Sequence, residues 1–120
     1  MCGIVGVFDF NRTRLVDKSV VFNMMSAISH RGPDGEGLFI EDNIALGHRR
    51  LSIIDLSTGD QPMFNADRSV SIVFNGEIYN YLELRQELTK HGHSFHTNSD
   101  TEVIIKAYEQ WGFDCQQKLN

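Results

Sequence analysis

The chain has 120 residues, a formal net charge of −5 at pH 7, 41% hydrophobic residues and 22% charged residues. These values are typical of one soluble globular domain, and the acidic balance argues against nucleic acid as a partner, because phosphate binding needs a basic surface. Only two cysteines occur, Cys2 and Cys115, which is too few for a disulfide framework and favours a reducing cytoplasm. The apolar run over residues 3–8 is too short to span a membrane and follows no basic region, so neither membrane attachment nor a signal peptide is predicted.

The first half of the chain predicts strands around one helix. β-branched and aromatic residues favour strands over residues 3–10, 37–41, 44–48 and 51–56, and the second and third of these are joined by a turn at Asp42 and Asn43. Between the first two strands, apolar residues at helical spacing predict a helix over residues 17–29. Gly32 and Pro33 are stop signals that follow this helix.

The second half predicts one clear strand over residues 70–74, a helix over residues 79–90 and a short strand over residues 94–97. Ser99 and Glu102 have capping-box spacing, with Ser99 as N-cap, ahead of a last helix that stops at Gly112. Helices and strands mix without a regular βαβ alternation, which predicts an α+β fold with mostly antiparallel sheets.

Cys2 is the first candidate for chemistry. If the initiator Met1 is removed, one residue carries both a thiol and a free α-amine, whose reference pKa values are about 8.5 and about 7.7–8.0. An amine that is partly unprotonated near neutral pH can act as the base for its own thiol. The alternative is that Cys2 is a small apolar residue beside an ordinary start codon, and position 2 alone favours that alternative.

Asn75 and Gly76 directly follow the strand over residues 70–74. An Asn-Gly pair is a strong hairpin signal, so one interpretation is a tight turn. The other is that the Asn75 amide and the Gly76 backbone N–H point at one place and hold the oxygen of a tetrahedral intermediate. The residues that follow favour a helix rather than a returning strand, which weakens the hairpin interpretation without deciding the question.

Two charged positions have both a binding and a structural interpretation. One arginine of the pair Arg49 and Arg50 is suited to a bidentate grip on a carboxylate, although a solvated pair at a strand edge is the simpler explanation. Asp100 is suited to a substrate ammonium, but an acidic residue in the first turn of a helix also interacts favourably with the helix dipole. A cluster of histidines, His91, His93 and His96, lacks the tight ligand spacing of known zinc sites, so no metal is predicted.

Six stretches occur in one order along the chain: MCGIVG (1–6), HRGPD (30–34), RLSIID (50–55), GDQPM (59–63), NGEIYN (75–80) and SDTEV (99–103). Together they resemble the glutaminase domain of glutamine-hydrolysing asparagine synthetases. That domain belongs to the class II glutamine amidotransferases, which are N-terminal-nucleophile hydrolases. The resemblance runs along nearly all of the chain and implies an αββα sandwich of mostly antiparallel sheets.

The resemblance assigns the catalytic roles. Cys2 is the nucleophile after removal of Met1, and its α-amine is the general base and later the acid. The Asn75 side chain and the Gly76 backbone form the oxyanion hole. Attack on the amide of glutamine then gives a thioester and ammonia, and water releases glutamate.

The resemblance also assigns the substrate contacts. Arg50 holds the α-carboxylate of glutamine and Asp100 holds its α-amine, while Glu77 and the backbone of Ile53 complete the pocket. No cofactor is implied for this half-reaction. ATP and Mg are implied only for a separate synthetase domain, which receives the ammonia and amidates aspartate or another carboxylate.

The family's glutaminase domain runs past the last motif of this chain, so we expect residues 1–120 to be its N-terminal part, without the synthetase domain. Missing strands would leave sheet edges unpaired, which favours homo-oligomers. Two alternatives follow: a non-catalytic module that binds glutamine or a partner, inactive because of truncation or a retained Met1, and a swapped fragment without activity.

Overall fold

The computed structural model of the chain describes residues 1–52 and 59–120. The described residues divide into two compact units. The first unit comprises residues 1–52, 60–62 and 72–75, and the second comprises residues 59, 63–71 and 76–120. The strand predicted over residues 51–56 lies mostly outside the described residues, and its described part, Leu51 and Ser52, is not in a strand.

The first unit contains an antiparallel sheet of β1 (Gly3–Phe8), β2 (Gly35–Glu41) and β3 (Ile44–Arg50), in the order β1-β3-β2. Strands β2 and β3 are joined at the predicted turn, where Asp42 has a φ of 46°. These strands are therefore confirmed, although β2 begins earlier and β3 ends later than predicted.

Strand β1 ends at Phe8 rather than at Phe10 as predicted. The reason is Asp9, whose carboxylate accepts hydrogen bonds from the backbone N–H groups of a turn: Asn11, Thr13 and Arg14. Hydrogen bonds of this kind offer the backbone an alternative to the strand ladder, so the chain leaves the sheet at this carboxylate.

Helix α1 (Lys18–Ala27) packs on one side of this sheet and is shorter than the predicted helix, because residues 29–31 form a separate 3₁₀ turn. The helix begins after Asp17, whose side chain accepts a hydrogen bond from the Ser19 N–H at 2.8 Å. Met25 is buried against the sheet at Gly47, where an added Cβ would lie 2.8 Å from the Met25 sulfur. Gly47 thus permits the close approach of helix and sheet.

Alternate residues of β3 face opposite sides of the sheet. Since Gly47 faces α1, His48 lies on the other side with Arg50. Gly3 pairs with Arg49 at the end of the ladder between β1 and β3, and Cys2 and Arg50 are the adjacent residues of the two chain segments. The first unit therefore brings Cys2 and Arg50 to the same end of the sheet.

The second unit contains α2 (Tyr81–Lys90) and α3 (Asp100–Trp111), which pack against each other. Their buried apolar side chains are Leu84, Leu88, Val103, Ile105 and Ala107. Helix α3 ends at Gly112, as predicted, where φ is 58°. A 3₁₀ helix over Gly112–Gln117 follows and packs against α3.

Two short strands, β4 (Met63–Phe64) and β5 (Ser71–Ile72), pair in a separate sheet. The predicted strand over residues 70–74 is thus confirmed only in part. Its end is not in a ladder because the N–H of Phe74 donates to the side-chain oxygen of Gln61. The Asn75-Gly76 pair leads toward α2 and not into a returning strand, so the hairpin interpretation is wrong.

The prediction of a strand over residues 94–97 is wrong. The buried carboxylate of Glu102 accepts the backbone N–H groups of His96 and Thr97 at 2.9 and 2.7 Å, and these groups are then not available to a neighbouring strand. Ser99 is confirmed as the N-cap of α3, since its hydroxyl accepts the Thr101 N–H at 3.1 Å. The capping box itself is not formed, because Glu102 binds the preceding loop instead.

The described residues therefore form an α+β structure with antiparallel sheets, as predicted. Within the part of the chain that the structure describes, no helix has the length and apolar character needed to cross a membrane.

Candidate functional site

Cys2 lies in the first unit, half-buried at the start of β1. Its Sγ accepts a hydrogen bond from the Leu51 N–H at 3.3 Å, and the thiol lies 3.6 Å from the Leu51 carbonyl oxygen, to which it donates. Arg31 contacts the backbone of the same residue: its Nε donates a hydrogen bond to the Cys2 carbonyl oxygen across 3.2 Å. The Leu51 backbone thus fixes the position of the Cys2 sulfur.

The Cys2 nitrogen is part of a peptide bond while Met1 is attached. Met1 is 76% exposed, so an aminopeptidase has access to this residue. Its removal would leave the thiol contacts with Leu51 in place and would convert the Cys2 nitrogen into an amine.

Arg50 is buried at the end of β3, and its guanidinium is paired with a carboxylate of the same unit. The Nη1 atom of Arg50 lies 2.6 Å from Oδ1 of Asp60, whose side chain is 88% exposed. Arg49 faces the opposite side, where it pairs with Glu36 at 2.7 Å and donates to the Met25 carbonyl. Arg50 is thus the arginine of the pair that lies on the face turned away from α1.

His48 is a further buried polar group on the face of Arg50, with only 1% of its surface exposed. Burial lowers the pKa of His48, and the positive charge of Arg50 lowers it further, whereas a hydrogen bond with the Phe74 backbone and the charge of Asp60 act in the opposite direction. The ring atom Nε2 has no hydrogen-bond partner among the residues that the structure describes. The imidazole is therefore harder to protonate than a free one.

Asn75 is exposed and directly follows Phe74, and it is the last residue of the first unit. Gly76, the other predicted oxyanion donor, belongs to the second unit. Ile53, which the resemblance assigns to the pocket, lies outside the described residues.

In the second unit, Asp100 is the first residue of α3. Its Oδ2 accepts the Ile78 N–H at 3.0 Å, and Ile78 directly follows the exposed Gly76 and Glu77. The carboxylate therefore anchors the segment that contains two of the predicted site residues, in addition to its favourable place at a helix N-terminus.

A family model described as a glutamine amidotransferase domain matches residues 1–120, the whole chain. The chain belongs to this family. The glutamine amidotransferase class predicted from the motifs is thus confirmed, and the α+β structure with antiparallel sheets is compatible with the N-terminal-nucleophile hydrolase-like fold.

The relatives of this amidotransferase domain include three proteins from different lineages. The chain is 45% identical to the glutamine-hydrolysing asparagine synthetase 1 of Bacillus subtilis over 99% of this chain and 19% of that protein. It is 43% identical to the corresponding Zea mays enzyme, over 100% of this chain and 20% of that protein. It is 45% identical to a putative asparagine synthetase of Methanocaldococcus jannaschii, over 100% of this chain and 26% of that protein. The chain therefore spans about a fifth to a quarter of the length of these curated relatives.

Three residues of the amidotransferase domain lie at or beside the predicted site residues of the first unit although the sequence gave them no role. Asp60 pairs with Arg50, Gln61 accepts the N–H of Phe74 directly before Asn75, and His48 lies on the face of Arg50. Asp60 and Gln61 lie in the GDQPM motif, which marked them as part of the resemblance without indicating what they touch. His48 is two positions before Arg50, and strand periodicity was the available signal that the two share a face.

The histidine cluster has structural partners. His93 Nε2 lies 2.9 Å from the Gln110 side-chain oxygen, and the ring of His91 packs edge-on against Trp111. Across residues 1–52 and 59–120, no group of three or more His, Cys, Asp or Glu side chains is arranged to hold a metal ion. Cys115, the second cysteine, is buried, and burial raises the pKa of its thiol.

Proposed function

We propose that this chain hydrolyses glutamine to glutamate and ammonia, with Cys2 as the nucleophile after Met1 is removed. The observation that supports this most directly is the hydrogen bond from the Leu51 N–H to the Cys2 sulfur, in the residue immediately after Arg50. This bond joins the thiol to the residue next to Arg50, whose guanidinium binds the Asp60 carboxylate, in a member of the glutamine amidotransferase domain family.

The proposed reaction begins when the Cys2 amine takes the thiol proton and the sulfur attacks the amide carbon of glutamine. The negative charge that develops on the amide oxygen is held by the Asn75 side-chain amide and the Gly76 N–H, and each such donor contributes about 10²–10³ in rate. The carbon–nitrogen bond then breaks, and the ammonium of Cys2 returns a proton to the departing ammonia. Water attacks the thioester with the amine again as base, which releases glutamate and restores the thiol.

Substrate binding in this proposal uses charge complementarity. Arg50 receives the α-carboxylate of glutamine, because a guanidinium forms two parallel hydrogen bonds with a carboxylate. Asp100 receives the α-ammonium, and Glu77 and the backbone of Ile53 complete the pocket. The ion pair of Arg50 with Asp60 supports the first assignment, since a carboxylate already binds this guanidinium at 2.6 Å.

We further propose that residues 1–120 are the N-terminal part of a glutaminase domain whose ammonia passes to a synthetase domain in the cytoplasm. This is supported by the names of the relatives, which are glutamine-hydrolysing asparagine synthetases, and by the share of each that the chain covers, 19 to 26%. Aspartate is the acceptor that these names suggest. ATP and Mg belong to the synthetase domain in this proposal, and no glutaminase step uses them.

A second candidate function is a glutamine-binding module without turnover. This candidate applies if Met1 stays attached, because the nitrogen that should act as the base is then a peptide nitrogen. Arg50 and Asp100 would still bind glutamine in such a chain.

The intact mass of the purified chain decides between the two candidates, since it reports whether Met1 is present. A chain without Met1 should release ammonia from glutamine and should form a covalent adduct at Cys2 with diazo-oxo-norleucine, whereas Cys2→Ala should do neither. Absence of both adduct and ammonia from a chain that begins at Cys2 would refute the glutaminase proposal.

A further inference from the structure

The backbone N–H of Phe74, the residue before Asn75, is held by a side chain rather than by a neighbouring strand. It donates to Oε1 of Gln61 across 2.6 Å. The backbone is thus fixed by a side chain immediately before the proposed oxyanion donor.

Gln61 is itself fixed on the sheet of the first unit. A Cβ added at Gly37 of β2 would overlap the carbonyl oxygen of Gln61, so the backbone of residues 61–62 lies directly on the bare surface of Gly37. A residue with a side chain at position 37 would displace Gln61. The hydrogen-bond acceptor for Phe74 is therefore anchored to a strand.

We propose that Gln61 is a positioning residue that holds the Phe74 N–H and thereby directs the Asn75 amide at the reacting oxygen. This inference rests on the role proposed for Asn75. An oxyanion donor is effective only when it is held in place before the reaction, and a misplacement of about 1 Å can cost about 100-fold in rate. The hydrogen bond from Phe74 to Gln61 supplies that constraint directly before Asn75.

The first test is a double-mutant cycle between Gln61→Met, which keeps the side-chain length and removes the acceptor, and Asn75→Ala. In the chain without Met1, we expect Gln61→Met to lower kcat for glutamine about tenfold or more and to change KM by less than about twofold. In the Asn75→Ala background the same change should cost less than about twofold, because the donor to be positioned is gone. Equal losses in both backgrounds, or no loss in either, would overturn the proposal.

A second pair of variants covers the case in which Gln61→Met does not fold. Gln61→Glu keeps an acceptor oxygen at the end of a side chain of the same length, whereas Gln61→Leu removes it. We expect Gln61→Glu to retain most of kcat and Gln61→Leu to lose about tenfold. Equal kcat values in the two folded variants would contradict the role of Gln61.

Amide hydrogen exchange at Phe74 tests the anchoring without using turnover. The Phe74 N–H should exchange faster in Gln61→Met than in the parent chain, while the amides of α3 stay unchanged. If the parent chain shows no glutaminase activity but Phe74 is protected through Gln61, the proposed function fails and the anchoring stands. If Phe74 exchanges equally fast in both chains, the positioning inference fails whatever the activity.

Discussion

Arg50 and Asp60 form an ion pair in which Nη1 and Oδ1 lie 2.6 Å apart, and the two side chains differ greatly in exposure, at 11% for Arg50 and 88% for Asp60. The arginine is fixed in the sheet, whereas the aspartate reaches it from a loop open to solvent. If Arg50 binds the α-carboxylate of glutamine, the substrate meets a guanidinium that already has a carboxylate partner. Asp60 then competes with the substrate for part of the same charge.

Replacement of Asp60 by Asn should therefore strengthen glutamine binding. An ion pair with one exposed partner contributes about 0–1 kcal/mol, so we expect KM to fall by up to about fivefold while kcat stays unchanged. Steady-state ammonia release at several glutamine concentrations measures both constants. Asp114→Asn, an exposed change of the same kind in the second unit, is the control. A higher KM for Asp60→Asn would instead mean that Asp60 orients Arg50 for the substrate.

The two cysteines should differ in reactivity toward iodoacetamide at neutral pH. Cys115 is only 5% exposed and burial raises the pKa of its thiol, so little of it is both accessible and ionised. Cys2 is half-buried and receives the Leu51 N–H. We expect Cys2 to be alkylated at least about tenfold faster, which peptide mass spectrometry over a time course measures.

Cys115→Ala serves as the control for this measurement, since it should leave the fast phase of alkylation intact, and Cys2→Ala should abolish that phase. Preferential alkylation of Cys115 in the parent chain would contradict the assignment of Cys2 as the accessible thiol.

Gly32 should tolerate no side chain. A Cβ at this position would overlap the backbone where Arg49 joins Arg50. We expect Gly32→Ala to lower the free energy of unfolding by about 1–3 kcal/mol, because the end of β3 must move, and to reduce glutaminase activity through the displacement of Arg50. Urea unfolding and the ammonia assay measure the two effects.

Gly6→Ala is a matched control for Gly32→Ala. A Cβ at Gly6 would lie 3.7 Å from the Ala45 carbonyl oxygen, which is an ordinary van der Waals distance. The free energy of unfolding should change by less than about 1 kcal/mol or rise slightly, because alanine restricts the unfolded chain. Equal destabilisation by both substitutions would contradict the specific overlap at Gly32.

The stability of the first unit should fall as the solution becomes acidic. Burial lowers the pKa of His48 in the folded chain, so below its unfolded value of about 6.5 the unfolded chain binds a proton that the folded chain does not. The contribution is fully present above pH 6.5 or so and is lost as the pH falls toward the folded pKa.

Melting temperatures at pH 7.5 and pH 5.5 measure this effect. The drop in Tm should be smaller for His48→Asn than for the parent chain, while the exposed control His96→Asn should behave like the parent. Parallel pH dependence in all three chains would show that His48 titrates alike in the folded and unfolded states.

Local signals predicted most elements of the fold. The N-cap Ser99, the stop at Gly112 and the turn at Asp42 depend on neighbours within a few residues, and all three are observed. The wrong strand over residues 94–97 and the shortened strand over residues 70–74 have a different cause. In each segment, a side chain outside it accepts the backbone N–H groups: Glu102 for residues 96 and 97, and Gln61 for residue 74. Strand propensity depends on the residues of the segment itself and does not include such acceptors.

The candidate site was predictable as a set of residue types but not as a set of contacts. The motifs indicated Cys2, Arg50 and Asp100 because thiol, guanidinium and carboxylate suit the parts of glutamine. The partners of these residues are Asp60 for Arg50 and Ile78 for Asp100, and both contacts join residues that are far apart in sequence. They depend on the tertiary fold, which the motifs do not specify. The contact of Gln61 with Phe74 could not be predicted for the same reason, since the two residues lie 13 positions apart.

The exposure of Met1 bears on how this chain is produced in the laboratory. Because Met1 is exposed, an affinity tag fused ahead of it would extend into solvent and would leave the fold undisturbed. Such a fusion would purify as a folded protein. It would nevertheless carry an amide where the proposed reaction needs an amine. A cleavable tag whose protease cuts directly before Cys2 turns this into an experimental switch, in which one preparation is assayed before and after a single peptide bond is cut.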